Sequence, residues 1–220
     1  MPVLNEADAI ACALRALAPL AARGAQIIVT DGGSTDGTVA SALACGVPIR
    51  VVHAPRGRAL QMNAGAQRAT GELLLFLHAD TWLPSNADQL VRQALAAGPQ
   101  VWGRFDVRIE GRPGMLRVIA ALMNSRSRWT GIATGDQALF MTRAAFDAVG
   151  GFPDQPLMED IAMSARLLKF SRPACLRERV VTSGRRWETH GVWRTVLLMW
   201  RLRLAYWRGV APERLAGWYQ

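Results

Sequence analysis

Short apolar runs alternate with longer amphipathic stretches along the first part of the chain. Three runs are rich in branched side chains and bounded by turn residues, which is typical of buried strands; they span residues 26–30, 49–53 and 72–77. The stretches around them have helical spacing and span residues 7–22, 35–44 and 58–69. This alternation predicts an α/β fold with a mostly parallel central sheet flanked by helices.

The pattern becomes less regular after residue 80. It predicts helices at residues 87–97 and 160–170, an apolar stretch at 115–123, and strands at 101–109 and 138–142, the last followed directly by a short helix. Residues 2–6 are typical of the end of a first strand that is otherwise nearly absent. The length of 220 residues predicts one compact domain at 1–190 with a helical extension at 191–220.

The net charge of +9 is unevenly distributed. Residues 1–160 contain 14 arginines and 14 acidic residues, whereas residues 161–220 contain 12 basic and 3 acidic ones. No recognised motif accompanies this charge, so we expect no nucleic-acid partner. No uncharged apolar run approaches the roughly 18 residues that span a bilayer, and the three widely spaced cysteines argue against a disulfide framework. We therefore expect a cytoplasmic protein.

Residues 30–38 (TDGGSTDGT) follow a predicted strand and open a predicted helix. The segment therefore lies at the carboxyl edge of the sheet, where open α/β proteins bind ligands. Glycines such as Gly33 permit close backbone approach, and Asp31 can accept hydrogen bonds from a base or ribose. An ordinary capped turn between a strand and a helix explains the segment equally well.

A second polar group, formed by His78, Ala79 and Asp80, ends the most apolar strand. Burying a carboxylate beside such a strand costs free energy unless it is paired or binds a cation. Asp80 is therefore a candidate ligand for Mg²⁺ or Mn²⁺ bridging a diphosphate, since these ions often take only one or two protein carboxylates. The alternatives are that Asp80 caps the following turn and that His78 is a hydrogen-bonded structural residue.

Acidic residues recur at two later positions. Gly135, Asp136 and Gln137 precede a predicted strand, and Glu159 and Asp160 open a predicted helix. The helix dipole favours acidic residues at a helix start, so capping alone can explain the second pair. The order of the motifs along the chain indicates a functional site. A phosphate-type turn suits a nucleotide, a strand-end aspartate suits a metal ion, and an acidic helix start suits a general base.

Together these motifs resemble those of the family 2 glycosyltransferases of the GT-A fold. The resemblance covers most of the chain, through residues 2–6, 31–38, 58–65, 79–80, 135–137 and 159–160. The sequence is most similar to a small bacterial branch with Leu-His-Ala-Asp-Thr at 77–81 and Ser-Gly-Arg-Arg-Trp-Glu at 183–188, labelled arsenosugar-biosynthesis-type transferases.

The resemblance implies that residues 1–100 form a nucleotide-binding half and residues 101–190 an acceptor and catalytic half. The donor it implies is a nucleotide-sugar, such as a UDP- or GDP-sugar. The residues it places around the nucleotide are Pro2, Glu6, Asp31, Gly33, Arg58 and Ala79.

The resemblance further implies that Asp80 holds the metal ion, and that Asp160 takes the proton from the acceptor hydroxyl in a single displacement that inverts the anomeric configuration. The usual metal motif has aspartate where this chain has His78, and imidazole suits Mn²⁺ better than Mg²⁺. The remaining candidates, which face the acceptor or the donor sugar, are Gly135, Asp136, Gln137, Glu159, Arg185, Arg186 and Trp187.

The C-terminal part has alternative interpretations. Arg185, Arg186 and Trp187 can clamp the diphosphate and cover the donor, or form a solvated basic loop. Residues 192–208 interleave tryptophan with arginine, which suits peripheral contact with the inner face of a membrane and a lipid-linked acceptor. Alternatively, the same aromatic side chains pack on the domain or in a homodimer, which is the more common outcome for tryptophan. The acceptor would then be a small molecule.

Two other functions compete with glycosyl transfer. A sugar-phosphate nucleotidylyltransferase also places a base-binding loop and a metal aspartate on such a sheet, but it needs a glycine-rich loop with a basic residue near the N-terminus, which residues 1–24 lack. A catalytically inactive nucleotide-sugar-binding protein is favoured by His78. Dehydrogenase and P-loop functions are excluded, because there is no GxGxxG and the single lysine, Lys169, does not follow a glycine.

Overall fold

The computed structural model describes residues 1–219. The strands are β1 (Pro2–Val3), β2 (Ile27–Asp31), β3 (Ile49–His53), β4 (Leu73–Leu75), β5 (Thr81–Trp82), β6 (Trp102–Glu110), β7 (Phe140–Thr142) and β8 (Ala174–Ser183). The helices are α1 (Ala7–Ala16), α2 (Ala18–Ala22), α3 (Thr38–Leu43), α4 (Arg58–Arg68), α5 (Ala87–Ala96), α6 (Met115–Thr130), α7 (Arg143–Ala148), α8 (Glu159–Leu167), α9 (Arg185–His190), α10 (Val192–Trp207) and α11 (Pro212–Tyr219).

The first three strands form a parallel sheet in the order β1-β2-β3. Their carboxyl ends are in register, with Val3 opposite Asp31 and Asp31 opposite His53. Helix α4 packs against β2 and β3, which confirms the predicted α/β arrangement. The helix predicted at 7–22 is divided into α1 and α2, because Pro19 has no N–H group to continue the hydrogen-bond ladder.

The other five strands form a mixed sheet in the order β4-β7-β6-β8-β5. Only β6 and β8 are parallel in it, so the predicted strand at 72–77 pairs with β7 and lies outside the parallel sheet. Strand β8 was not predicted, because its charged residues interrupt the apolar pattern. The register jumps from Phe105 opposite Leu176 to Asp106 opposite Arg179, which leaves residues 177–178 as a bulge.

The apolar core joins both sheets. Its largest cluster contains Leu14 of α1, Val29 of β2, Phe105 of β6 and Phe140 of β7. The rings of Phe105 and Phe140 meet edge to face at 5.5 Å. A second cluster lies under α4 and α7 and contains Trp102, the largest fully buried side chain. These shared side chains fix the strand ends that carry the polar motifs.

Strand β1 is short, as predicted for the end of a first strand. The amino group of Met1 donates a hydrogen bond to the Ile28 carbonyl at 2.8 Å, and burial lowers its pKa to about 5. A mainly apolar cavity of about 530 Å³ lies beside it, lined by residues of β2 and β4 such as Ile28 and Leu74. None of the candidate site residues named above lines this cavity.

Helix α10 has the bounds predicted for the final helix. Leu202 of α10 and Leu215 of α11 are fully buried against Leu157 and Met158, in the loop before α8. The C-terminal extension therefore packs on the domain through this face. Helix α9 was not predicted, and the helical extension predicted at 191–220 is divided into α10 and α11. Within residues 1–219, no helix is both long and apolar enough to cross a membrane.

Candidate active site

The turn after β2 is organised around the carboxylate of Asp31. This buried group accepts hydrogen bonds from the backbone N–H groups of Gly33 and Ser34, both at 3.1 Å, and lies 3.5 Å from Nδ1 of His53. Desolvation opposes its ionisation, but the hydrogen bonds from Ser34, Gly33 and His53 hold the pKa of Asp31 below its usual value. Gly33 has φ +89°, a conformation that favours glycine. The turn therefore presents an ionised acceptor at the sheet edge.

The loop after β1 is tied to the same turn. Oδ1 of Asn5 accepts a hydrogen bond from the Thr35 N–H group at 2.9 Å, and the Asn5 N–H group donates to Oγ of Ser34 at 2.9 Å. The Glu6 N–H group donates to Oγ1 of Thr38 at 2.8 Å. These bonds hold Glu6 beside the turn that carries Asp31. The sequence motif containing Asn5 was recognised, but this role was not.

Gln61, on helix α4, connects the ends of β1 and β2 by hydrogen bonds. Its buried Nε2 donates to the carbonyl oxygens of Val3 and Thr30, both at 2.8 Å. Gly32 makes room for it, since a Cβ atom there would lie 2.9 Å from Cδ of Gln61. One signal of this role is visible in the sequence, because Gln61 is a polar residue beside Met62 on the inward face of α4.

A cleft of about 290 Å³ opens beside these strand ends. Six residues that the family resemblance assigns to the donor and the metal line this cleft together, namely Pro2, Glu6, Arg58, His78, Ala79 and Asp80. Its lining also includes Val3, Leu4, Arg56, Gly57 and Gln61. Asp31 and Gly33 do not line the cleft; they flank Gly32, which lies against the lining residue Gln61.

The ion pair between Arg58 and Glu159 joins the cleft to the start of helix α8. Nε of Arg58 lies 3.0 Å from Oε1 of Glu159, whose side chain is only 3% exposed. Burial raises the pKa of Glu159, and the positive charge of Arg58 opposes that rise. Oε2 of Glu159 is buried without a hydrogen-bond partner. Since the pair uses Nε, the Nη groups of Arg58 remain available to a phosphate.

His78 faces the turn that contains Gly135 and Asp136. Its Nδ1 lies 3.5 Å from Oδ1 of Asp136, and a Cβ atom at Gly135 would lie 2.4 Å from Cε1 of the imidazole. Desolvation opposes ionisation of Asp136, but His78, together with the charges of Arg58 and Arg186, holds its pKa below the usual value. The predicted metal-site histidine is therefore paired with an acid from another strand end.

Asp160 is held against the same turn. Its Oδ2 accepts a hydrogen bond from the Gly135 N–H group at 2.8 Å, and its Oδ1 accepts one from the Ile161 N–H group at 2.7 Å. Each carboxylate oxygen retains a second lone pair for a further donor. Gly135 thus connects Asp160 with His78, residues that are far apart along the chain.

The residues present suit a divalent cation bound jointly with a diphosphate. Burial raises the pKa of Glu6; Arg185 opposes this rise, whereas the negative charges of Asp80 and Asp36 add to it. The carboxylates of Glu6 and Asp80 therefore share this cleft with the guanidinium groups of Arg56 and Arg58. No group of three or more potential metal ligands occurs within residues 1–219, so a cation there would rely on one or two side chains together with phosphate oxygens, as is common for Mg²⁺.

Two predicted substrate-facing residues have other surroundings. Gln137 is fully buried, and its Oε1 accepts a hydrogen bond from the Thr134 N–H group at 3.2 Å, so it holds the turn and does not face the cleft. Trp187 packs against the main apolar cluster. Arg186 lies over the Tyr219 ring at 3.6 Å, within a helix and not in the basic loop considered above.

Gly135→Ala is expected to lower the free energy of unfolding by about 1–3 kcal/mol, because the added methyl group overlaps the His78 ring. Thermal or chemical denaturation measures this change. Gly114→Ala is the matched control, since nothing lies within 4 Å of its Cβ position and its φ is −57°. Equal stability of the two variants would contradict the close packing of His78 on Gly135.

The parallel sheet flanked by helices, with a polar cleft at its carboxyl edge, places the chain among the open α/β proteins whose ligand sites lie at that edge. A family model described as Glycosyl transferase family 2 matches residues 1–152. The chain therefore belongs to glycosyltransferase family 2. The narrower arsenosugar-type branch stays a prediction.

Relatives and solved structures agree with this assignment. The PGL/p-HBAD biosynthesis glycosyltransferase of Mycobacterium bovis (strain BCG / Pasteur 1173P2) is 31% identical over 155 residues, which cover 68% of this chain and 56% of the relative. The chain thus spans about half the length of that protein.

Two solved structures show the shared GT-A fold. The mannosyltransferase PcManGT from Pyrobaculum calidifontis, in complex with GDP-Man and Mn²⁺, has a TM-score of 0.66 at 22% identity, covering 93% of this chain and 59% of that one. Glucosyl-3-phosphoglycerate synthase from Mycobacterium tuberculosis, in complex with Mn²⁺ and UDP-Glc, has a TM-score of 0.58 at 19% identity, covering 82% and 67%.

Proposed function

We propose that the protein is an inverting glycosyltransferase that moves a sugar from a nucleoside-diphosphate sugar to an acceptor hydroxyl. In this proposal residues 1–100 bind the donor and residues 101–190 carry the base and the acceptor side. The observation that carries it is the hydrogen bond from Gly135 to Asp160, because Gly135 also packs on His78 at the edge of the donor cleft. A carboxylate thus lies beside a cleft suited to a nucleotide and a cation.

The donor is held at both ends. The ionised carboxylate of Asp31 accepts hydrogen bonds from the base or the ribose, and the Nη groups of Arg58 donate to the diphosphate. Glu159 keeps the Arg58 side chain in place through its 3.0 Å contact. Asp80 and His78 are the residues that would hold a Mn²⁺ or Mg²⁺ ion, which when bound stabilises charge on the departing diphosphate.

Asp160 acts as the general base. The acceptor hydroxyl gives its proton to a carboxylate oxygen of Asp160 while its own oxygen forms a bond to the anomeric carbon. The bond between that carbon and the diphosphate oxygen breaks on the opposite face, so the configuration inverts. The nucleoside diphosphate leaves with the bonding electrons. Hydrogen bonds from Gly135 and Ile161 orient the base without occupying all of its lone pairs.

The ligands of the two similar solved structures suggest which donors to test, since those complexes contain GDP-Man and UDP-Glc. At a donor concentration of roughly 100 Kd, we expect a matching nucleotide-sugar to raise the melting temperature by about 5–10 °C, and only in the presence of Mn²⁺ or Mg²⁺. Slow hydrolysis of the donor should also release free nucleoside diphosphate.

Three results separate the alternatives. Stabilisation without release of nucleoside diphosphate, with every acceptor tried, would favour an inactive nucleotide-sugar-binding protein. Release of pyrophosphate from a nucleoside triphosphate and a sugar 1-phosphate would favour a nucleotidylyltransferase. Neither stabilisation nor turnover across UDP- and GDP-sugars with metal would contradict the proposed function.

A further inference from the structure

Helix α10 has two chemically different sides. Its inner side includes the buried residues Thr195 and Leu202 and packs on the domain. Its outer side, called here the α10 face, consists of large apolar side chains that are 47–82% exposed. These residues are Trp193, Leu197, Trp200, Leu204 and Trp207.

The spacing of the α10 face makes it continuous. Successive members are separated by four, three, four and three positions, so at roughly 100° per residue they fall within a stripe about 80° wide. Single exposed apolar residues are ordinary on a protein surface. A contiguous row with three tryptophans is not, and such patches mark contact with a protein or a membrane.

Arginines line the edges of this stripe. Arg194, Arg201 and Arg208 each follow one of the three tryptophans and are exposed along one edge, and Arg203 lies beyond the other edge. Between residues 191 and 219 there are five arginines and a single acidic residue, Glu213. The apolar stripe is therefore set in a strongly positive surface.

We propose that the α10 face docks on an anionic lipid surface. Tryptophan rings suit the boundary between headgroups and acyl chains, and arginines beside them keep their guanidinium groups among the phosphates. Each arginine near such a surface contributes attraction that salt weakens. A second copy of the chain fits less well, because pairing two α10 faces would bring like-charged arginine rows together.

Docking through this face would place the catalytic helix close to the lipid. Leu202 on the inner side of α10 packs with Leu157 and Met158, which immediately precede Glu159 and Asp160. Resting on the proposed function, this arrangement suits a lipid-linked acceptor. The docking itself requires neither donor nor acceptor. A negative result in vesicle binding would therefore leave the proposed glycosyl transfer untouched, and the reverse also holds.

Vesicle flotation tests the docking with the purified chain and no substrate. We expect binding to vesicles of phosphatidylcholine mixed with phosphatidylglycerol, little binding to phosphatidylcholine alone, and release by high salt. Leu197→Glu/Trp200→Glu should abolish binding. Leu43→Glu is the matched control, because Leu43 on α3 is 63% exposed, compared with 64% for Leu197, and should leave binding intact.

A charge series provides a second test. Arg194→Gln/Arg201→Gln/Arg208→Gln should weaken binding to the anionic vesicles on the order of 10- to 100-fold. Arg15→Gln/Arg68→Gln/Arg92→Gln, which changes three exposed arginines of the N-terminal half, should change it much less. Melting temperatures of all variants establish that they are folded.

Several results would overturn the proposal. Absence of binding to the anionic vesicles would do so, as would equal binding by the wild-type chain and the Leu197→Glu/Trp200→Glu variant. A dimer in analytical ultracentrifugation that this variant dissociates, without vesicle binding by the wild type, would assign the α10 face to a second copy.

Discussion

Asp160→Asn is expected to lower sugar transfer by roughly 10²- to 10⁴-fold while donor affinity changes little. The amide keeps the shape of the side chain and can still accept the Gly135 hydrogen bond, but it cannot take the acceptor proton. Of the two hydrogen bonds that the carboxylate accepts, one is lost, so the free energy of unfolding should fall by only about 1 kcal/mol. Steady-state transfer rates and donor titrations measure the two effects separately.

Asp154→Asn is the matched control for this experiment. Asp154 lies in the loop before α8 and is exposed, so its neutralisation should leave both transfer and donor affinity unchanged. If Asp160→Asn transferred sugar at more than a tenth of the wild-type rate, Asp160 would not be the general base. Parallel loss of donor affinity and transfer would assign it a structural role at the Gly135 turn.

Asp80→Asn is expected to weaken Mn²⁺- and Mg²⁺-dependent donor binding by more than roughly 100-fold. A neutral amide is a poor ligand for these hard cations, and changes even to outer-sphere residues of metal sites cost roughly 10- to 100-fold. The loss should be visible as the disappearance of the metal-dependent rise in melting temperature that the donor causes in the wild type. Contacts of the donor with Asp31 and Arg58 alone should be too weak to raise the melting temperature at the same donor concentration.

Asp147→Asn provides the comparison for Asp80→Asn. It removes one negative charge from an exposed position on α7, away from the cleft lining. If Asp80→Asn required the same metal concentration as Asp147→Asn for donor binding, Asp80 would be a turn-capping residue. The cation would then have to be held by other groups.

Local sequence determined most of the first half of the fold. The apolar runs at 26–30 and 49–53 became β2 and β3 to within one residue, and α4 and α10 begin at their predicted residues. In these elements the apolar residues form a clear local pattern, and burial of the apolar side in the folded protein favours the same secondary structure. By contrast, β8 was not predicted, because Arg177, Glu178 and Arg179 interrupt its apolar pattern and its partner residues in β6 lie 71 to 73 positions earlier in the chain.

The site follows the same division. Asp31, Asp80 and Asp160 stand out in the sequence because each follows a strand or opens a helix, although a capping role explains each one singly. How their segments are joined is a tertiary property. Gly135 contacts both His78 and Asp160, and Arg58 forms an ion pair with Glu159, 101 positions further along the chain.

The sequence by itself determined the elements, their alternation and the chemical types of the candidate residues, because these depend on neighbours a few positions apart. The tertiary structure decided which polar residues meet. It buried Gln137, packed Trp187 against the main apolar cluster, gave Gln61 an unforeseen role, and left one side of α10 exposed. Those outcomes depend on close packing between distant segments, where a single Cβ atom at Gly32 or Gly135 would not fit, and no local pattern encodes that geometry.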